Sequence, residues 1–333
     1  MLVAEQKLHE KVFDEKPEQV PTRDGFGKGL LELGETNQNV VALCADLAES
    51  TRMLPFKEKY PDRYIELGVA EQNLATIASG LANYGKIPFI ASYATFSPGR
   101  NNEQIRTTIS LNNLPVKIVG SHAGVSVGPD GATHQALEDL ALMRVQPHMT
   151  VLSPCDSEEA RKATRAAVEI PGPAYIRLAR EKTPVITTAE SPFAIGKANV
   201  LWTPGGDTSG TGEVAIFATG PLLCNALLAA KQLEQDVPVS IVNVHTVKPL
   251  DRETVVSAAK QAGAVVTVEE HQIMGGLGSA IAELLVQECP VPIECIGVRD
   301  QFGQSGEPKE LVEHYGMGVS HIVAAVRKVI LRK

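Results

Sequence analysis

The chain has 333 residues, 44% of them apolar and 21% charged, with a formal net charge of −8 at pH 7. That length suggests about two domains, the proportions are those of ordinary soluble globular proteins, and the acidic balance disfavours non-specific binding to nucleic acid. No apolar run reaches the ~18 residues that span a bilayer, Met1 to Lys7 lacks a signal-peptide apolar core, and the five scattered cysteines form no CxxC pair. The expectation is a cytoplasmic protein with no membrane and no nucleic-acid partner.

Residues 1–21 form a polar lead with Pro17 and Pro21. Thr22 is placed to cap a helix over 22–33, which stops before Gly34. Val40-Val41-Ala42-Leu43-Cys44 reads as a buried strand ending in a polar turn with Asp46 and Ser50. Strand 64–67 ends at Gly68, and 70–84 reads as a helix rich in small residues, with Glu71 in its first turn. Strand 88–93, helix 101–111 and strand 116–120 follow. A glycine-rich loop then runs from Ser121 and His122 to Asp130 and Gly131. Helix 135–145, strand 150–153, helix 157–168 and strand 174–178 complete an alternation that implies a parallel sheet covered on both faces.

Residues 181–212 break the pattern with Pro184, Pro192, Pro204 and the run Pro204-Gly205-Gly206-Asp207-Thr208-Ser209-Gly210, read as a linker and an entering strand or hairpin. Strands at 214–219, 239–244, 265–268 and 293–298, with helices near 222–233 and 278–286, make a second, smaller α/β domain. No short-period repeat is present. There is no Walker sequence and no zinc-ligand spacing. Gly275-Gly276-Leu277-Gly278 is read as close helix-to-strand packing. Glu269-Glu270-His271 is left outside the site.

In a parallel sheet the strand ends share one edge, where ligands collect. Asp46, Ser50, Glu71, Tyr93, His122, Asp130 and Arg180 all follow strand ends of the first domain. Each alone has an ordinary explanation: Glu71 complements a helix dipole, Tyr93 and Phe96 are core aromatics, Asp130-Gly131 is a turn. A carboxylate, an imidazole, aromatics and cations converging on one edge make an active site the better reading.

Three stretches carry a resemblance. They are Glu66-Leu67-Gly68-Val69-Ala70-Glu71-Gln72-Asn73, Gln104-Ile105-Arg106, and the run from Gly120 through Asp130-Gly131-Ala132-Thr133-His134-Gln135 into Asp139-Leu140. From about Pro21 onward the sequence resembles the C-terminal half of transketolase. The resemblance implies two three-layer α/β/α domains with mainly parallel sheets: a pyrimidine-binding domain over 1–187, of the thiamine-diphosphate-binding fold, and a transketolase C-terminal domain over 188–333. It implies thiamine diphosphate as cofactor, with a divalent metal (Mg or Ca) held by a separate N-terminal, diphosphate-binding subunit and no metal ligand in this chain. It also implies self-association, an assembly with two copies of each chain, and transfer of a two-carbon ketol unit between sugar phosphates.

Carried over residue by residue, Glu71 is the carboxylate on the cofactor's pyrimidine nitrogen, and Glu71 and His122 are the catalytic pair. Asp46, Tyr93, Phe96, Arg100 and His134 lie at the cofactor. Arg23, Ser50, His122, Asp130 and Arg180 hold the sugar phosphate. Ser97-Pro98-Gly99 puts one residue more before Arg100 than the family pattern. Three rivals are weighed. The 1-deoxyxylulose-5-phosphate synthases carry Asp-Arg-Ala-Gly where this chain has Ser121-His122-Ala123-Gly124. The 2-oxo acid dehydrogenase beta subunits lack the Asp130-to-Gln135 pattern. A non-catalytic assembly subunit has no use for Glu71, His122 and Asp130 together.

Overall fold

The computed structural model describes residues 1–206 and 213–333. Asp207 to Gly210 of the expected linker lie outside the described residues. Among the described residues fourteen strands are arranged in three sheets. They are β1 (Gln19–Pro21), β2 (Val40–Cys44), β3 (Tyr64–Glu66), β4 (Ile87–Tyr93), β5 (Lys117–Ser121), β6 (Thr150–Leu152), β7 (Ala174–Arg177), β8 (Lys182–Pro184), β9 (Asn199–Trp202), β10 (Val214–Ala218), β11 (Val239–Asn243), β12 (Thr246–Lys248), β13 (Val265–Gln272) and β14 (Ile293–Val298).

The large sheet has the order β12-β6-β7-β5-β4-β2-β3 and is parallel except for β12. Strands β2, β5, β6 and β7 are buried on both faces, which is why Val40–Cys44 is a continuous apolar run rather than an alternating one. Val41 and Leu43 face Leu74, Ala75 and Ala78 of the helix Glu71–Asn83. Val40, Ala42 and Cys44 face the helices Thr22–Thr36 and Ser157–Ala167 through Phe26, Leu30, Ala160 and Ala163. The second sheet, β14-β13-β10-β11-β9, is likewise covered on both faces, by Leu223–Leu233 with Val319–Ile330 and by Arg252–Ala262 with Leu277–Glu288. The fold is three-layer α/β/α twice over, as the alternation predicts. The chain crosses between the sheets: β12 pairs with β6, and the lead packs on the second sheet through Leu2, Val3 and Val12.

Several local expectations are corrected. Pro21, not Thr22, stands at the cap position of the first helix; the Thr22 hydroxyl donates to the Ala179 carbonyl at 3.3 Å and accepts its N–H at 2.8 Å. The helix expected over 135–145 is only Asp139–Arg144, because Gln135 and Ala136 are spent on loop contacts. The helix expected over 101–111 continues from Asn102–Gln104 as a π-helix, Ile105–Ser110. The strand expected over 265–268 runs on to Gln272, which buries Glu269, Glu270 and His271 inside β13. The helices Arg252–Ala262, Pro308–His314 and Val319–Ile330 were not anticipated.

Polar ties buried at the seam fix how the two sheets meet. Asp156 caps Ser157–Ala167 through the Glu159 N–H and accepts the Ile186 and Thr187 N–H groups. Glu159, 3% exposed, accepts the Cys155 N–H at 2.7 Å and the Asn243 side-chain amide of β11 at 2.7 Å. Burial, reinforced by the Asp156 charge, pushes the Glu159 carboxyl up to about 7. A carboxyl whose folded value lies above its unfolded one favours folding while protonated. Stability should therefore fall as pH rises from the ordinary carboxylate range through about 7. Glu159→Gln keeps an acceptor for Cys155 and offers a donor to the partnerless Asn243 Oδ1. Its melting temperature should decline less between pH 5 and pH 8 than that of the native chain; parallel melting-temperature profiles for the two would sink this account.

Candidate active site

The parallel strands place their C-terminal ends along one edge, and Glu71 begins its helix just beyond β3. Its carboxylate is 1% exposed. Arg100 Nη1 donates to Oε2 at 3.1 Å and Ser92 Oγ to Oε1 at 3.4 Å. Asn101 Nδ2 donates to the Glu71 carbonyl at 2.9 Å and to Ser97 Oγ at 3.1 Å, locking the turn after β4 onto the helix start. The extra residue before Arg100 does not remove it from the site: its guanidinium lies on Glu71 and 5.0 Å over the Phe96 ring.

Beside the carboxylate is a cluster of rings. Tyr93 stacks on His122 at 3.9 Å between centroids and lies 6.1 Å from Phe96. His134 meets Phe96 edge-on at 5.4 Å. His122 has a left-handed backbone (φ 57°), is 1% exposed, and shares a hydrogen bond with Ser121 Oγ at 2.9 Å. Burial, helped by the charges of Arg23 and Arg180, pushes it down to about 3. At neutral pH the imidazole is thus uncharged and offers one donor and one acceptor. Arg23 donates to the Ser50 carbonyl at 2.8 Å, and its own value is lowered, first by burial and then by Arg52. Arg23 Nε is buried without a protein partner. Arg180 donates to the Val127 carbonyl at 2.8 Å and pairs with Glu181 at 3.1 Å.

The fold thus brings together Glu71, Arg100, Tyr93, Phe96, His122, His134, Arg23 and Arg180. Ser50 joins them through its carbonyl. Asp46 is exposed, and its N–H donates to Glu66 Oε1 at 2.7 Å. Asp130 is exposed at the end of the turn Val125–Asp130, and no described contact ties it to the cluster. Sequence reasoning missed Ser92, Asn101 and Gln135. Only Gln135 sat in a motif: its side-chain amide donates to the carbonyls of Val125, Gly128 and Gln304.

The glycine-rich loop is shaped by the second domain. Gly124, Gly128 and Gly131 all have positive φ. A Cβ on Gly124 would lie 2.3 Å from Glu270 Oε1, on Gly128 3.1 Å from Pro308, and on Gly131 2.6 Å from Ser305 Oγ. Glu270 accepts the Ser126 N–H at 2.6 Å, and Arg177 joins Asp139 (2.8 Å) to the Glu270 carbonyl (2.8 Å). Glu269 accepts the N–H groups of Leu277 and Gly278, so the Gly276–Gly278 stretch does serve close packing.

The family model of the transketolase pyrimidine-binding domain matches residues 18–185, and that of the transketolase C-terminal domain matches residues 208–322. The chain belongs to the transketolase family. It is 41% identical over 322 residues to the 6-deoxy-6-sulfo-D-fructose transketolase subunit of Clostridium sp. (strain MSTE9), covering 96% of this chain and 98% of that one. It is 35% identical over 318 residues to mouse transketolase, covering 95% of this chain but only 50% of that one. A solved split-gene transketolase, described as an inactive β4 tetramer, superposes with a TM-score of 0.86 at 44% identity, covering 94% of this chain and 99% of that one. The chain thus spans nearly the whole of these transketolase subunits and about half of the mouse enzyme.

Gly124→Ala should cost about 1–3 kcal/mol, combining the strained φ with the clash on Glu270. Gly68→Ala, at φ 65° with nothing within 4 Å of the added methyl, should cost no more than about 1–2 kcal/mol. Denaturant unfolding of both variants checks the order. A larger loss at Gly68 would contradict the loop-on-domain contact.

Proposed function

We propose that this chain is the C-terminal subunit of a thiamine-diphosphate-dependent transketolase. With a separate N-terminal subunit it moves a two-carbon ketol unit from a ketose phosphate to an aldose phosphate. The observation that carries the reading is the almost fully buried Glu71 carboxylate beside the Tyr93–Phe96 recess, in a chain that aligns nearly end to end with transketolase subunits. We assign residues 1–187 to the pyrimidine-binding unit and 188–333 to the C-terminal unit, and place the enzyme in the cytoplasm. Among the described residues no helix is long and apolar enough to cross a membrane.

The residues fit one end of the cofactor. A buried carboxylate next to aromatic faces suits a protonated aminopyrimidine. Among the described residues no group of three or more His, Cys, Asp or Glu side chains could hold a metal ion. We assign the metal (Mg or Ca) and diphosphate ligands mainly to the partner subunit, as the likeness to split-transketolase subunits suggests. When bound, thiamine diphosphate supplies the nucleophilic carbon that carries the two-carbon unit. Glu71 would hold a proton at the pyrimidine nitrogen, with Arg100 and Ser92 orienting its carboxylate. Tyr93, Phe96 and His134 would flank the ring. Neutral His122 would exchange a proton or hydrogen bond with the sugar oxygens, with Asp130 near the sugar hydroxyls and Asp46 near the cofactor. Arg23 and Arg180, with Ser50, would hold the anionic end of the sugar by charge-assisted hydrogen bonds. Two relatives are named for anionic sugars, a 6-deoxy-6-sulfo-D-fructose and an apulose 4-phosphate.

The exposed face of Glu71–Asn83, with Gln72, Asn73, Thr76 and Ile77, is available for the second subunit. We infer an assembly of two copies of each chain, with self-association through this one. A similar chain alone forms an inactive tetramer. The purified chain should show no turnover, and mixing it with the partner, thiamine diphosphate and a divalent ion should restore it. Full activity of the chain alone would refute the two-subunit reading.

Within the assembled enzyme, Glu71→Gln should slow deuterium exchange at C2 of the bound cofactor by at least ~100-fold, the scale of a lost acid–base group. An unchanged rate would reduce Glu71 to a helix-end charge. Arg180→Ala should lower kcat/KM for phosphorylated acceptors by roughly 10- to 100-fold, the worth of a hydrogen bond to a charged group. Unphosphorylated acceptors of the same stereochemistry should be nearly unaffected. Equal losses would mean that Arg180 supports the Val127 loop rather than the anion.

A further inference from the structure

A cleft of about 390 Å³ opens where the N-terminal lead, β8 and the helices Leu223–Leu233 and Pro308–His314 meet. None of the residues gathered around Glu71 lines it. Val12, Pro184, Leu222, Leu228 and Val312 form apolar walls, and Glu270 and Ser126 stand at its inner end. Around the mouth Asp14, Glu15, Glu181 and Glu313 outnumber Lys182 and Lys309.

Glu270 is the unusual group. It is 2% exposed, lines the cleft, and has Ser126 as its only side-chain hydrogen-bond partner among the described residues. The Ser126 N–H occupies Oε1, and a carboxylate accepts at both oxygens; among the described residues no protein donor is on Oε2, so in a side chain that lines the cleft this oxygen is open to a ligand donor. Burial pushes its carboxyl up from the ordinary value, and Arg177 opposes the shift. A donor-bearing cation with an apolar body would supply the missing hydrogen bond and cover the walls, and the acidic mouth would favour its entry.

We propose that this cleft is a binding site for a small organic cation, an amidinium, guanidinium or primary ammonium on a short apolar body, with its N–H donors on Glu270. The site lies behind the loop that carries His122. The other face of the same contact is the Ser126 N–H on Glu270 and the close approach of Gly124, so an occupant braces the loop from the rear. Any effect on turnover rests on the transketolase reading above; binding and loop bracing do not.

The test uses this chain without a partner, with benzamidinium as the probe in calorimetric titration. One saturable site is expected, with benzoate giving none. Glu270→Gln keeps an oxygen for the Ser126 N–H and should weaken binding by about 10- to 100-fold. Leu228→Lys places a positive charge at a partly exposed wall position and should weaken it by about 10-fold or more, a second arm should the first variant fail to fold. In the native chain saturation should slow amide exchange across residues 122–131. Absence of saturable binding, or equal binding by native chain and either folded variant, overturns the site. Unchanged exchange at saturation overturns the bracing of the loop.

Discussion

The site depends on one carboxylate kept almost out of water. Glu71 is 1% exposed, and a buried charge is tolerated only when its surroundings supply donors. The parallel sheet makes that possible. β4 ends at Tyr93, next to Ser92, and the turn that follows delivers Arg100 and Asn101 to the carboxylate and the helix start. β3 ends where Glu66 gathers the N–H groups of Asp46, Leu67 and Gly68 and the Tyr64 hydroxyl, which fixes the approach to Gly68 and Glu71.

The second domain supplies none of the residues gathered around Glu71, but it decides where the histidine loop lies. Positive φ at Gly124, Gly128 and Gly131 lets the loop press onto Glu270, Pro308 and Ser305. Gln135 donates to the Val125 and Gly128 carbonyls within that loop and to the Gln304 carbonyl. Behind it, Arg177, Asp139 and Tyr175 form a buried network that reaches the Glu270 carbonyl. On the flank, Arg144 grips Glu283 with both nitrogens and reaches the Gly275 carbonyl. Interdomain contacts of this kind favour one geometry because their buried charged groups are hydrogen-bonded, Arg177 to Asp139 and Glu270 to the Ser126 N–H.

The electrostatics around His122 follow from the same packing. Burial, helped by the charges of Arg23 and Arg180, keeps the His122 imidazole neutral, so it offers hydrogen bonds rather than a third positive charge. Under the proposed function, the positive charge for an anionic sugar would then fall to Arg23 and Arg180. Arg23 has a buried Nε without a protein partner, a donor position that remains for a ligand.

Alternation of apolar runs and helical periodicity, both local properties, determined the three-layer architecture and the parallel sheet. The short stretches around Glu71, His122 and Gln135 determined the family. What only the tertiary structure decided depends on residues far apart in the chain. Glu270 reaches Ser126 across 144 positions, and Arg177 reaches Glu270 across 93. Residues 269–271 read as an isolated charged triplet in sequence, yet they are buried in β13 because that strand runs past its apolar stretch to meet the first domain. Gln135 left the expected helix for the same reason, since its amide was needed by three carbonyls of the loop and the second domain. Local pattern records which face of an element is apolar; it carries no record of which buried donor meets which acceptor once two sheets close on each other.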